Sequence, residues 1–378
     1  MIELLVGADD RTGALEAGGA CAAAGAGAVW VGSAVAEATG RVAVVDLGTR
    51  QLTPAAAAQR AAALDAVPHG AAAHKIDSTL RGNWAYELLA RHAASGRRVL
   101  VVPALPAAGR TCVGGVVLHD GRPVNETAGD ADARHASGSS RPADHLRQAG
   151  ASAVAEVAGP DDLGRWLRAE DGAPFAVGDA ATDADLAAVA AGWSEHRGVL
   201  VAGTAATIAA IAATLTEEPP AERPSVDRAV LVVCGSLHPM ARRQVAHMGG
   251  LGVAVVEPGS FLGTALDALQ AGRPAVVVSP LPRERPVPPD AALEAAEQLA
   301  LTAQDLSGAA RVGTLVVIGG DTAAAVLGPE PLVAGGTLAP GTPWARRADG
   351  GGPLVVTRAG SFGTRSSLAE LVWGRLGP

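Results

Sequence analysis

At 378 residues the chain is longer than a single hydrophobic core usually supports, so two domains are expected, and a hydrophobic content of 48% is ample to fill them. The net charge of -8 argues against a nucleic-acid partner, which needs a basic face, and an anionic substrate would have to be met by local basic pockets. Cys21, Cys112 and Cys234 are scattered without metal-binding spacing, and no segment reads as a signal peptide or a membrane span, so a reduced, cytoplasmic protein with no membrane partner is expected.

Aromatic residues make up only 3% of the chain, so core volume must come from Ala, Val and Leu, which suits helices packed on a parallel sheet. The apolar run Ile2 to Gly7 breaks at Ala8-Asp9-Asp10-Arg11-Thr12-Gly13, and Ala14 to Ala24 then reads as a helix. Polar residues therefore sit at the carboxyl end of a strand, where open α/β sheets bind ligands. Adjacent Asp9 and Asp10 cannot face the same way in an extended chain, so one points toward a ligand while the other orients the turn, binds a basic partner or caps the helix. Val42 to Asp46 repeats the pattern, ending in Asp46-Leu47-Gly48-Thr49-Arg50 before a helix that opens at Pro54.

The third unit ends in Lys75-Ile76-Asp77-Ser78-Thr79-Leu80-Arg81-Gly82-Asn83, ahead of a helical run from Trp84. Lys75 is the only lysine, every other basic side chain counted in the charge being arginine, so a compact ammonium is kept where a crowded polar site needs one. Lys75 and Asp77 would share a face at a strand end, Ser78 or Thr79 could cap the next helix, and Arg81 offers a planar fork to a carboxylate. Val99 to Val102 then leads into Pro103 through Thr111, a fourth turn on the same edge of a parallel sheet. The irregular run from Val113 to Ser140 reads as a loop or hairpin excursion, and helices are expected at Ala143 to Gln148, Asp161 to Glu170, from Asp183, and at Thr204 to Leu215.

The Pro-rich, charged run Thr216 to Pro224 is the clearest linker, which divides the chain into domains 1–215 and 228–378 with 216–227 between them. The second half restarts with a strand from Ala229 and the turn Cys234-Gly235-Ser236-Leu237-His238, then places glycine turns at Gly319-Gly320-Asp321-Thr322 and at Arg358 to Arg365. Each turn allows close backbone approach before a helix N-terminus, the local chemistry of a phosphate site. With one lysine, at Lys75, the chain has no P-loop, and no GxGxxG follows the first strand.

Taken together, Ala8 to Gly13, Lys75 to Asn83, Pro103 to Thr111, Cys234 to Leu237, Gly319 to Thr322 and Arg358 to Gly363 resemble, in order, the motifs of the four-carbon acid sugar kinases, which include threonate, erythronate and 3-oxo-tetronate kinases. The resemblance implies two α/β domains, each a mainly parallel sheet flanked by helices, with the active site in the interdomain cleft. It implies ATP and Mg²⁺ as cofactors and a terminal hydroxyl of a small acid sugar as acceptor. Substrate would lie near Asp9, Arg11, Arg50, Ser78, Thr79 and Arg81. Lys75 and Arg81 would grip its carboxylate and hydroxyls, and Asp10 or Asp77 would take the hydroxyl proton. Nucleotide would lie near Ser236, Gly319, Gly320, Asp321, Thr322, Arg358, Gly360 and Gly363. The chain carries Arg358 where the family usually has lysine, and Gly121 to Arg141 lacks the Pro-rich pattern of the oxo-tetronate branch. A kinase for another hydroxy acid or sugar and a non-catalytic sugar-acid sensor are the alternatives, and a homodimer is left open.

Overall fold

The computed structural model describes residues 1–127, 138–169, 171–215, 218–226, 229–282 and 287–375, and the chain forms two compact units, Met1–Ala221 and Glu222–Pro378. Parts of the expected excursion (128–137), helix end (Glu170) and linker (Thr216, Glu217 and Asp227) lie outside the described residues. Within the linker, the backbone N–H of Glu218 donates to Gly25 in the first unit and Arg223 donates to the carbonyl of Leu338 in the second.

In the first unit the order is β1 (Ile2–Ala8), α1 (Arg11–Ala23), β2 (Val29–Gly32), β3 (Val42–Asp46), α2 (Pro54–Ala62), β4 (His69–Lys75), α3 (Trp84–Ser95) and β5 (Val99–Val102). Three short strands follow, β6 (Arg110–Val113), β7 (Val116–His119) and β8 (Arg122–Pro123), then α4 (Val124–Thr127), α5 (Pro142–Ala149), β9 (Val154–Val157), α6 (Pro160–Arg168), β10 (Phe175–Gly178), α7 (Asp183–Ser194), β11 (Leu200–Gly203) and α8 (Ala205–Ala213). The main sheet runs β2-β3-β1-β4-β11-β5-β10-β9 and all its pairs are parallel, while β6-β7-β8 form a small antiparallel sheet. The chain leaves β1 for β2 and β3 on one side and returns to β4 on the other, so the strand order reverses at β1. In doubly wound sheets this is where the carboxyl-end loops part and a ligand can enter.

The second unit contains β12 (Val230–Cys234), α9 (Pro239–Gly250), β13 (Ala254–Val256), α10 (Gly263–Gln270), β14 (Ala275–Val278), α11 (Pro289–Ala309), β15 (Thr314–Ile318), α12 (Gly320–Leu327), β16 (Leu332–Ala339), β17 (Thr342–Arg347), β18 (Leu354–Arg358) and α13 (Ser367–Val372). Its sheet runs β13-β14-β12-β15-β18-β17-β16, parallel as far as β18, with β17 antiparallel to both neighbours.

Why these strands read as continuous apolar runs is visible in β12. Val230, Val232 and Cys234 enter one core and Leu231 and Val233 the other, so both faces are covered by helices. Each fully buried Val or Leu contributes about 1.5–3 kcal/mol relative to exposure, which offsets the weak intrinsic order of so many Ala-rich segments. Local signals set the helix ends: Thr53 caps α2 with Pro54 at its first position, and Thr182 and Asp185 form a reciprocal capping box on α7. Among the described residues no helix is long and apolar enough to cross a membrane.

Candidate active site

The carboxyl ends of β3, β1 and β4 are neighbours, and their loops are bound to one another by charge. Arg50, from the β3–α2 loop, donates from Nε and Nη2 to the two carboxylate oxygens of Asp9, each at 2.8 Å, and its Nη1 pairs with Asp10. Asp10 also caps α1, accepting the N–H of Gly13 at 2.5 Å. The two aspartates thus face differently, yet both meet Arg50. Burial raises the Asp9 carboxyl above its ordinary range against the pull of Arg50, with Asp10 adding to the rise. For Arg50, burial works against the charge, but Asp10, Asp9 and Asp77 outweigh it and hold the guanidinium well above its usual value.

Lys75 closes β4 with its ammonium buried. Its Nζ lies 3.4 Å from Glu16 Oε2 and donates to the carbonyl of Ile76 at 3.1 Å. Burial opposes the charge, but Glu16, Asp9, Asp77 and Asp10 together raise the Lys75 pKa, so the side chain stays protonated. A methyl group on Gly13 would come within 3.5 Å of this Nζ and 3.0 Å of Asp10 Oδ1, and one on Gly82 within 2.9 Å of Asp9 Oδ2. The glycines of the two first-unit motifs are therefore the places where the motifs touch each other.

Asp77 is the hub of its own loop. Arg81 donates to it bidentately, Nε to Oδ2 and Nη2 to Oδ1, both at 2.9 Å, and the N–H and hydroxyl of Thr79 also donate to Oδ2. Burial alone would raise Asp77, but Arg81, Arg50 and Thr79 hold it well below the usual carboxylate range. This corrects the expected capping role of Ser78 and Thr79, because the loop continues through left-handed Leu80 and Gly82 and α3 starts only at Trp84, after Asn83. Thr79 turns back on Asp77 instead, and half-buried Ser78 lies in the same loop. Asn83 donates to the carbonyls of Thr49 and Leu52 at 2.9 Å, tying this loop to the one that carries Arg50.

Arg11, at the first position of α1, is buried near Asp46, and burial lowers its pKa against the attraction of that carboxylate. Sequence reasoning gave no role to Asp46, Glu16 or Arg110. Asp46 has its carboxyl pushed up to about 6, by burial first and then by Asp10. Its position at a strand's carboxyl end was a legible signal, whereas nothing local marks Glu16 on an Ala-rich helix.

In the second unit the three glycine turns follow β12, β15 and β18, which lie side by side. Gly360 presses on Ser236 so closely that an added Cβ would sit 1.9 Å from Ser236 Oγ, and one on Gly235 would sit 2.1 Å from Thr322 Oγ1. Gly319 has a φ of 115°, and its added Cβ would lie 3.3 Å from the Ser236 N–H nitrogen. Ser236, Gly319, Thr322 and Gly360 are thus brought together, with Gly320 and exposed Asp321 opening α12 beside them. Gly363, left-handed at 84°, lies farther along the last turn against Ser367 of α13. Arg358 is buried and pushed down to about 10 by its surroundings. Its guanidinium donates to Gln244, which in turn holds the carbonyls of Phe362 and Thr364, so Arg358 acts here on the turn itself. Arg242, unremarked in the sequence, donates to Ser236 O at 2.9 Å and Ser279 O at 2.6 Å and joins the ends of β12 and β14.

Residues 4–211 match the sugar-binding N-terminal domain family and residues 231–368 the nucleotide-binding C-terminal domain family. A D-threonate kinase of Cupriavidus necator is 31% identical over 375 residues, with 86% of each chain covered. A Salmonella typhimurium LT2 crystal structure described as a tRNA synthase superposes with a TM-score of 0.78 over 97% of this chain and 98% of that one, at 20% identity, and shows the shared fold. A Bordetella bronchiseptica domain of unknown function, a domain-swapped dimer with bound citrate, matches at a TM-score of 0.50 and 25% identity over 98% of this chain and 97% of that one.

Proposed function

The chain belongs to the four-carbon acid sugar kinase family, and from that premise we propose that it transfers the γ-phosphoryl group of ATP to a terminal hydroxyl of a D-threonate- or D-erythronate-type acid. Phosphoryl transfer demands little covalent chemistry of the protein and much positioning. The observation that carries the reading is the meeting of three glycine turns around Ser236. The absence of side chains at Gly235, Gly319 and Gly360 lets these turns close on Ser236 and Thr322 beside the N-terminus of α12, whose free N–H groups favour a phosphate.

Mg²⁺ would be carried on the phosphates, and Asp321, in the first turn of α12, would offer it a carboxylate. When bound, the ion offsets the negative charge of the transferring group. Ser236, Gly319, Gly320, Thr322 and Gly360 hold the phosphates. Arg358 and Gly363 keep the last turn in shape.

On the first unit, Lys75, Ser78, Thr79 and Arg81 line the acid's site, with Arg11, Arg50 and Asp9 behind them. The hydroxyl proton is assigned to Asp10, which meets Arg50 at the carboxyl end of β1. Asp77, held ionised by Arg81 and Thr79, is a weak base and serves to keep Arg81 in place. Citrate in the Bordetella neighbour supports a small hydroxy acid as ligand, and its swapped dimer supports a homodimer here. A cytoplasmic location accords with ATP use and with three free, buried cysteines.

The test is ATP consumption with threonate, erythronate, their oxidised forms and aldonic acids of other lengths, with the product identified by phosphorus NMR. A terminal phosphate ester on a four-carbon acid is expected. Turnover only with longer acids or sugars would replace the acceptor, and acid binding without ATP consumption would replace the kinase by a sensor.

A further inference from the structure

Arg110 is the first residue of β6, set by a tight turn after β5. The turn is closed by the N–H of Leu105 donating to Arg110 O at 2.8 Å and the N–H of Arg110 donating to Leu105 O at 3.1 Å. Its floor is fixed to the neighbouring strand end, since Thr204 Oγ1 donates to Ala104 O at 2.5 Å and Thr207 Oγ1 to Val102 O at 2.8 Å. The side chain is only 8% exposed, and its Nε is without a hydrogen-bond partner among the described residues. No side-chain hydrogen bond or ion pair joins this guanidinium to any described residue, although it lies within the fields of Asp77, Glu16 and Asp120, and of Arg81.

The cations to which sequence reasoning gave the carboxylate are differently placed. The fork of Arg81 is taken by Asp77 and Lys75 faces Glu16, while Arg50, expected only near the substrate, binds Asp9 and Asp10. An arginine buried without an anion is unfavourable in the free protein, and a carboxylate entering beside it would relieve that cost through two parallel hydrogen bonds. We propose that Arg110 binds the carboxylate of the acid substrate and so selects acids over neutral polyols at this site. The proposal rests on the acid-kinase reading for the identity of the acid, but not for the presence of an anion.

The experiment uses the full chain and compares threonate with its neutral amide, by steady-state kinetics and by calorimetric binding, in the wild type, Arg110→Gln and Arg110→Lys. Arg110→Gln should raise KM for the acid about 30-fold, leave KM for ATP within about twofold and abolish the preference for acid over amide, with Arg110→Lys in between. A folded Arg110→Gln protein with unchanged KM for the acid overturns the proposal, as does one that loses acid and amide equally. Should Arg110→Gln not fold, Arg110→Lys decides, by a severalfold rise confined to the acid or by none. If the wild type phosphorylates no acid yet binds threonate, and Arg110→Gln loses that binding, the kinase reading fails and the anchor stands. If the wild type binds none of threonate, erythronate, their oxidised forms and the longer aldonic acids, both fall.

Discussion

Asp77 and Asp46, both at the carboxyl edge of the first sheet, are driven in opposite directions by their surroundings. Asp77 is held far below the usual range by Arg81, so the stability it contributes is present above the unfolded carboxyl value and is lost on strong acidification. Asp77→Asn frees Arg81, and kcat/KM for the acid should fall about 100-fold or more while KM for ATP moves less than about threefold. Steady-state kinetics with each substrate varied checks this, and an equal loss for both substrates would show that Asp77 supports the fold at large and not the placement of Arg81 alone. Asp46, raised to about 6 from an ordinary 3.8, has the reverse sign: the folded state keeps its proton longer than the unfolded chain, so stability falls as pH rises between those values. Asp46→Asn should raise stability at pH 7 by about 1–2 kcal/mol after allowance for screening and leave it unchanged near pH 3, as thermal melts at both pH values will read. At this scale Lys75, Asp77 and Arg81 were legible because so many polar groups crowd one short run. Glu16 and Arg110 were not, since a single acid on a helix or one arginine among many carries no local mark of its burial or its neighbours.

The glycine turns show how an element can be readable while its partner is not. Each of the turns after β12, β15 and β18 is an ordinary Gly-bearing bend by itself, and the contact between Gly360 and Ser236 arises only because β15 pairs with both β12 and β18. Gly360→Ala would drive a methyl group into Ser236, and we expect a loss of about 1–3 kcal/mol in stability and at least a tenfold weaker grip on ATP, with threonate binding unchanged. Denaturant melts and calorimetry with each ligand test it, and unchanged ATP affinity would remove this turn from the phosphate site. Sequence periodicity gave the helices and the apolar central strands well. It missed β2, β9 and the β16–β17 hairpin, whose runs are short or interrupted by glycine and half-exposed polar residues.

For the whole chain, the division of labour has a direct readout in hydrogen exchange. A non-hydrolysable ATP analogue should slow exchange in the turns at 235–237, 319–323 and 359–363, while threonate should slow it at 9–13, 47–52, 77–83 and 103–110. The opposite assignment would reverse the roles of the two units. What the sequence determined by itself was the alternation of strand and helix, the two-part organisation and the polar character of the strand ends, because periodicity, capping residues and turn glycines act over a few neighbours. Tertiary structure decided which of those polar ends meet. Strand order puts β1 between β3 and β4, brings Arg50 to Asp9 and Asp10, Glu16 to Lys75 and Gly360 to Ser236, and leaves Arg110 without an internal counter-ion among the described residues. Charge pairing and desolvation depend on distances through space, and a linear pattern carries no record of them until the sheet is assembled.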